Sequence, residues 1–306
     1  MQLRSVAGPA VVAVALATMA AACGAAPAAS GSGGDHLAVV AAENFWGSIA
    51  AQLGGTKVTV RSIVANPETD PHSYEPTPTD AIAVAEARMV VYNGVGYDPW
   101  VQKLLGADPE RGRVELDVGA VVGVRPGANP HRWYSPTDVG RVIDAITAGY
   151  RHALPKEATY FDQRRAHFVS SGLARYRSLL AAVRARYAGT PVGASESVFV
   201  PMAEALGLRV LTPASFLDAV SEGAEPTAGA KAESDSQIRR RSIRVYVFNR
   251  QNSTPDVQAE VHEAQAAGVP VTAVTETLVP AAATFQAWQV GQLEDLQAAL
   301  ARATGR

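Results

Sequence analysis

Four residues of this 306-residue sequence have types and settings suited to binding a metal ion. Two are histidines that follow a proline: His72 in the segment DPHSYEP and His131 in NPHRWYSP. The other two, Glu196 and Glu276, each come directly after a predicted strand. Imidazole nitrogens and carboxylate oxygens are ligands of Zn²⁺, and Mn²⁺ accepts them with a greater share of oxygen. This set of side chains suits one divalent transition metal ion.

Each of these residues also has an ordinary interpretation. A histidine on a loop is usually solvated, Glu196 lies where an acid stabilises a helix N-terminus, and Glu276 can be a solvated loop acid. In favour of a site, the preceding prolines restrict the backbone beside both histidines. Ligands in open α/β sheets bind at the carboxyl ends of strands, where both glutamates are expected. Taken alone, each of the two glutamates favours its ordinary interpretation, and the two histidines leave a metal site and solvated side chains both open.

The elements that must position these residues follow an alternating strand and helix pattern. It runs over residues 36–118 and again over 191–274, which predicts two doubly wound α/β lobes. Between them, apolar residues in 156–187 recur at spacings of three and four, which predicts one long helix of roughly 45 Å. Thr79 is the predicted N-cap of a helix over 80–87, and Ser135 that of a helix ending near residue 153.

Composition excludes several classes of protein. The 27 basic and 29 acidic residues give a net charge of −2, which argues against nucleic acid as a partner. The single cysteine, Cys23, excludes an internal disulfide and a thiolate zinc cluster. The sequence contains no HExxH, P-loop or GxSxG motif, so those three enzyme classes receive no support.

The N-terminus has the pattern of an export signal. The apolar run over 11–22 is too short to span a bilayer but is typical of a signal-peptide core. It ends in AAACG, which resembles a bacterial lipoprotein signal, so Cys23 is expected to become the lipidated first residue. The alternative is simple signal cleavage with Cys23 as a bystander. The Gly/Ser-rich residues that follow predict a flexible tether.

The whole mature chain resembles the metal-binding lipoproteins of bacterial zinc/manganese ABC importers, the ZnuA-like family 9 solute-binding proteins. The long helix and five segments carry this resemblance: DPHSYEPTPTD (70–80), AEARMVVYNGVGYDPW (85–100), NPHRWYSP (129–136), ASESVFVPMAEALGL (194–208) and TETLVP (275–280).

The resemblance implies a cluster A-I type substrate-binding protein, an α/β fold of two doubly wound lobes joined by one long backbone helix. One metal ion would lie between the lobes, and His72, His131, Glu196 and Glu276 are the ligands that match the family motifs. A receptor of this kind is not an enzyme and has no organic cofactor. The transported ligand is expected to be Zn²⁺ or Mn²⁺.

The motifs leave the choice of metal open. Glu196, where many relatives have histidine, resembles the manganese-type members, and the His-rich insertion of many zinc-type members is absent. The family acid in the last segment is usually aspartate, and Glu276 is one methylene longer. Intrinsic affinity follows the Irving–Williams order, so Zn²⁺ should outbind Mn²⁺ in vitro whichever ion is transported.

The resemblance also predicts domains, location and partners. The expected organisation is a signal peptide (1–22), a lipidated tether (23–35), an N-terminal lobe (36–155), a linking helix (156–187) and a C-terminal lobe (188–306). The expected partners are a cognate ABC permease with its ATPase and the lipid bilayer, held through Cys23. We expect a monomer outside the cytoplasm, anchored to the cell membrane, that binds no nucleic acid.

Two other functions are weighed against this one. A zinc-dependent hydrolase needs an open coordination position and a general base, whereas all four candidate ligands are committed to the ion. A surface adhesin or organic-ligand-binding lipoprotein of the same fold would use a cleft lined by Tyr74, Trp133 and Tyr134. Aromatic side chains beside a metal more often shield it from water.

Overall fold

The computed structural model of the protein describes residues 36–69 and 73–306. The expected signal peptide, the tether with Cys23, and His72 lie outside these residues. No helix in the described part has both the length and the apolar character needed to cross a membrane.

The first sheet of the described chain has four parallel strands in the order β2-β1-β3-β4. The central strands β1 and β3 are apolar along almost their whole length because helices cover both faces of the sheet. The strands are β1 (Leu37–Glu43), β2 (Val58–Val64), β3 (Met89–Tyr92) and β4 (Val114–Asp117), and the helices among them are α1 (Asn44–Gly54), α2 (Pro78–Glu86), α3 (Pro99–Ala107) and α4 (Val118–Val122).

Two of these helix starts test the capping predictions. Helix α2 begins at Pro78 and is capped by Thr77, whose side chain and backbone exchange hydrogen bonds with Asp80. The prediction of Thr79 as the cap was wrong because Pro78, which fixes φ and lacks an N–H, takes the first helical position. The prediction of Ser135 was right: it caps α5 (Pro136–Ala153) and accepts a hydrogen bond from the Asp138 amide.

The segment after α5 is helical but is not one continuous α-helix. It consists of a 3₁₀ turn (Pro155–Glu157), α6 (Ala158–His167), a π-helical turn (Phe168–Gly172) and α7 (Ala174–Tyr187). The Leu173 amide donates to the Phe168 carbonyl at 2.9 Å, an i to i+5 bond. Phe168 and Leu173 are both buried. In a regular α-helix, residues five positions apart do not share a face, so the wider π-helical turn is what keeps both side chains on the buried face.

The second sheet repeats the topology of the first. Its order within the described residues is β6-β5-β7-β8, again all parallel. The α/β fold class with two parallel sheets is therefore confirmed. The strands are β5 (Pro191–Ala194), β6 (Arg209–Val210), β7 (Val245–Asn249) and β8 (Val271–Val274), and the helices are α8 (Val200–Leu206), α9 (Ala214–Ser221), α10 (Ala228–Arg239), α11 (Pro255–Ala266) and α12 (Phe285–Thr304).

Each sheet has a topological switch point between its two central strands, β1 and β3 in the first and β5 and β7 in the second. The chain leaves these strands in opposite directions, which opens a crevice beyond their carboxyl ends. The described residues, 36–69 and 73–306, form one compact unit, and a large apolar core includes side chains from both sheets.

Helix α1, beside the first sheet, is bonded directly to the C-terminal segment. Ser48 Oγ accepts the Phe285 amide at 2.9 Å, and Asn44 Oδ1 accepts the Leu278 amide at 3.1 Å. The side chains of Gln52 and Gln286 exchange hydrogen bonds beside them. These bonds join the two sheet regions along a second seam, apart from the helical segment α6–α7.

Candidate metal site

His131 lies on the loop before α5 and is fully buried. Asn129 Oδ1 accepts the backbone N–H of His131 at 2.9 Å and lies 2.9 Å from its ring Nδ1. An amide oxygen is only an acceptor, so Nδ1 carries a hydrogen, and in the neutral ring Nε2 then carries the lone pair. Nε2 is 4.0 Å from Glu276 Oε2. In its neutral form the histidine is thus the tautomer that would bind a metal ion through Nε2.

Both glutamates are buried at the carboxyl ends of strands in the second sheet. Glu196 follows β5 and is 1% exposed, and Glu276 follows β8 and is 4% exposed. Asn249, the last residue of the intervening strand β7, donates from Nδ2 to Glu196 Oε1 at 2.5 Å and to Glu276 Oε1 at 2.8 Å. One amide group therefore bridges the two carboxylates.

Further neutral donors orient these carboxylates. Tyr97 donates its hydroxyl to Glu276 Oε2 at 2.8 Å, and Asn252 donates from Nδ2 to Glu196 Oε2 at 2.7 Å. The pKa of Tyr97 is raised well above its ordinary value, mainly by burial and next by the charge of Glu276. The Tyr97 hydroxyl therefore keeps its hydrogen and remains a donor. Gln251 Oε1 accepts the backbone N–H of Glu276 at 2.7 Å.

Sequence reasoning did not identify Tyr97, Asn249, Gln251 or Asn252 as part of this site. The available signal was the position of residues 249–252 at the carboxyl end of the strongest apolar strand of the second sheet, which is its ligand-binding edge. Tyr97 gave no comparable signal, because it contacts a residue 179 positions away.

Aromatic rings surround His131. The Trp133 ring stacks on Phe45 with 3.9 Å between centroids and meets the His131 ring edge-on at 5.2 Å. Tyr134 donates its hydroxyl to the Thr275 carbonyl at 2.7 Å, which ties the histidine loop to the residue before Glu276. Trp133 and Tyr134 are both buried, and the Trp133 ring covers one side of the histidine ring.

Tyr74 has a different environment from these two aromatic residues. Its hydroxyl donates to Asp80 Oδ2 at 2.7 Å, and its ring packs edge-on against Trp100 at 5.2 Å. It therefore supports the entry to α2.

Three of the four residues predicted as ligands are described, and all three are buried within this hydrogen-bonded cluster. Among residues 36–69 and 73–306, no group of three or more His, Cys, Asp or Glu side chains is spaced to hold a metal ion. The fourth, His72, lies outside the described residues. The ligand roles of His72, His131, Glu196 and Glu276 stay a prediction.

Comparison with known proteins identifies the family. The sequence profile described as "Zinc-uptake complex component A periplasmic" (ZnuA) matches residues 39–299. The chain belongs to this family. The resemblance drawn from the sequence segments is thereby confirmed.

Curated relatives in the ZnuA family carry metal-binding names. The manganese-binding lipoprotein MntA of Halalkalibacterium halodurans is 30% identical over 136 residues, which cover 43% of this chain and 44% of that protein. A putative metal-binding protein of Treponema pallidum is 27% identical over 178 residues, covering 50% and 55%. The chain thus spans about half the length of these relatives in each match.

Solved structures support the fold. The Mn-bound S38A mutant of a periplasmic metal-binding protein from Candidatus Liberibacter asiaticus superposes with a TM-score of 0.73 at 18% identity, covering 86% of this chain and 98% of that one. A mutant structure of the laminin-binding adhesin of Streptococcus agalactiae gives 0.71 at 19% identity, covering 86% and 99%. At such low identity the likeness establishes the architecture alone.

Proposed function

We propose that this protein captures one divalent transition metal ion, Zn²⁺ or Mn²⁺, outside the cytoplasm and delivers it to an ABC permease and its ATPase. On this proposal it is a receptor and not an enzyme. The observation that carries the proposal is the buried cluster of His131, Glu196 and Glu276 in a member of the ZnuA family.

The chemistry of the cluster fits a cation. The two glutamates accept hydrogen bonds from Asn249, Asn252 and Tyr97. Because these three donors are uncharged, they do not neutralise the negative charge of a buried carboxylate. A divalent ion would offset the charge of two carboxylates, which is otherwise expensive to bury. In the proposed site His72 and His131 add neutral nitrogen ligands to the acids. Four such ligands suit tetrahedral Zn²⁺, and carboxylates binding through both oxygens would suit Mn²⁺.

The proposed organisation follows from the same reasoning. Lobes at 36–155 and 188–306, linked through 156–187, would each supply two ligands, so metal would favour the closed arrangement. Lipidation of Cys23 would hold the monomer at the outer surface of the cell membrane, within reach of the permease.

An adhesin function has less support. The three described candidate ligands are at most 4% exposed, so a macromolecule cannot contact them, whereas an ion can be enclosed by them. The only argument for that function is a similarity of fold with an adhesin, at 19% identity.

Native mass spectrometry of the purified, metal-stripped protein tests the proposal. Offered Zn²⁺ and Mn²⁺ separately, the wild type should retain one ion per chain, and His72→Ala and His131→Ala should lose it. His152→Ala is the matched control, because His152 is exposed on α5, outside the cluster. No retained ion, or equal retention in all variants, would contradict the proposal.

Delivery and metal choice need cellular measurements. Cells lacking the protein should accumulate less of one metal at limiting supply, and the affected metal identifies the cargo. Metal-loaded protein should stimulate ATP hydrolysis by the cognate permease in vesicles, whereas the metal-free His131→Ala variant should not. Normal uptake of both metals in the deletion strain would argue against a transport role.

A further inference from the structure

Glu43 and Asp98 form a buried acid pair beside the proposed metal site. Glu43 is the last residue of β1 and is completely buried, and Asp98 precedes α3 with 1% of its surface exposed. Ala41 pairs with Val91 between β1 and β3, which places Glu43 beside Asn93, and Asp98 Oδ2 accepts the Asn93 amide. The two carboxyl groups therefore lie close together, and each alters the pKa of the other. Neither residue is among the four proposed ligands, and the function proposed above does not use them.

The side chain of Asp98 is hydrogen-bonded to the loop that precedes it and not to its own helix. It occupies the N-cap position of α3 but makes no side-chain capping bond. Its Oδ2 accepts the Asn93 amide at 2.6 Å, and its Oδ1 accepts the Gly94 amide at 2.8 Å. Aspartate at an N-cap ordinarily bonds the first turn of its helix. The carboxylate here instead fixes the loop over 93–98.

Both ends of this loop reach the proposed site. Asn93 donates from Nδ2 to the Pro130 carbonyl at 2.8 Å, one residue before His131. At the other end, Tyr97 donates its hydroxyl to Glu276 at 2.8 Å. The loop held by Asp98 therefore contacts the backbone beside one proposed ligand and the side chain of another.

Glu43 needs a proton in this position. Within the described residues, no N–H or hydroxyl group of another residue donates to either of its carboxyl oxygens, and the backbone hydrogen bond that lowers its pKa comes from its own residue. Its neighbour is the carboxylate of Asp98, and two adjacent buried carboxyl groups do not both ionise at moderate pH. A protonated Glu43 can donate its hydroxyl to Asp98, which gives each of the two carboxyl groups a hydrogen bond to the other.

The electrostatic environment agrees with this arrangement. The pKa of Glu43 is raised well above its ordinary value, mainly by burial and next by the charge of Asp98. Burial also raises the pKa of Asp98, to about 6, although the two loop amides act in the opposite direction. The other titratable groups acting on the pair are the phenols of Tyr97, which senses both acids, and Tyr92, which senses Asp98.

We propose that Glu43 and Asp98 share one proton, so that one of the two is a neutral acid and the other is a carboxylate. This hydrogen-bonded pair is the positioning unit that holds His131 and Glu276 in place for the metal. The metal-binding part of this inference rests on the function proposed above, whereas the shared proton does not.

Capillary electrophoresis of the native protein at pH 7 tests the proton directly. Glu43→Gln should migrate with the wild type, because it replaces a neutral group with a neutral group. Glu86→Gln, at an exposed position on α2, is the control and should shift by one charge. An equal shift in the Glu43→Gln variant would show that Glu43 is ionised and would overturn the proposal, even if the protein binds no metal.

Metal competition titrations test the positioning role. Glu43→Ala and Asp98→Asn should weaken Zn²⁺ or Mn²⁺ binding by about 10- to 100-fold, the range for groups that orient ligands. Glu43→Gln can still donate to Asp98 and should rescue the affinity to within about threefold of the wild type. If Glu43→Gln binds as weakly as Glu43→Ala, or if Asp98→Asn binds as tightly as the wild type, the positioning role is wrong. A wild type that binds no metal would instead overturn the proposed function.

Discussion

Replacing Asn249 with leucine should markedly destabilise the metal-free protein. The change removes one amide group that donates to both Glu196 at 2.5 Å and Glu276 at 2.8 Å, while roughly preserving side-chain volume. A hydrogen bond to a charged group contributes about 1.5–3 kcal/mol, so the two together predict a loss of about 3–6 kcal/mol. Native proteins are stable by only about 5–15 kcal/mol, so the loss is a large fraction of the total.

Urea unfolding followed by tryptophan fluorescence measures this effect. Gln258→Leu is the matched control, because Gln258 is only partly buried and its side-chain amide contacts Ser253. We expect that control to stay within about 0.5 kcal/mol of the wild type. Saturating Zn²⁺ should reduce the Asn249→Leu deficit, because the cation replaces the amide as partner of both carboxylates. An apo Asn249→Leu variant within about 1 kcal/mol of the wild type would refute the bridging role.

Three further changes test other features of the structure. Burial raises the pKa of Glu260 from 4.5 to about 7, because the charged form is disfavoured in the folded protein. The free energy of unfolding is therefore highest below pH 4.5, and about 3 kcal/mol of it is lost as the pH rises from 4.5 through 7. Glu260→Gln should remove this part of the slope in urea titrations between pH 4.5 and 8, and an unchanged slope would contradict it. A methyl group at Gly54 would lie 2.4 Å from Cβ of the first residue of β2, so Gly54→Ala should lower stability by about 1–3 kcal/mol. Gly106→Ala, with open space around it, should be neutral or stabilising, and similar effects at the two sites would show that the contact is unimportant. Tyr134→Phe removes the bond to the carbonyl before Glu276 and should weaken metal binding about tenfold, whereas unchanged affinity in the competition titration would argue against that link.

Much of the fold could be read from local patterns. Strand and helix alternation identified both parallel sheets, because apolar periodicity and turn residues act over a few positions. The cap at Ser135 was correct for the same reason, whereas the cap at Thr79 was wrong by two residues. The apolar spacing over 156–187 predicted one α-helix, whereas the structure has a π-helical turn that ends at Gly172 and keeps Phe168 and Leu173 both buried.

The family motifs in the sequence predict His131, Glu196 and Glu276 as ligands, and the structure buries all three in one polar cluster. The partners that orient them depend on tertiary contacts. Asn249 bridges acids that lie 53 and 27 residues from it along the chain. Whether an asparagine at the end of a strand faces solvent or two carboxylates is decided by which strands become neighbours.

The sequence by itself determined the fold class, the family and the candidate ligands, because these depend on periodicity and on short motifs. Only the tertiary structure decided how those ligands are supported. Parallel strands bring distant residues to one sheet edge, and burial then changes what each polar group must do. Glu43 illustrates this: in the sequence it is one acid after a strand, and in the structure it is completely buried against a second acid, a setting that favours the protonated form.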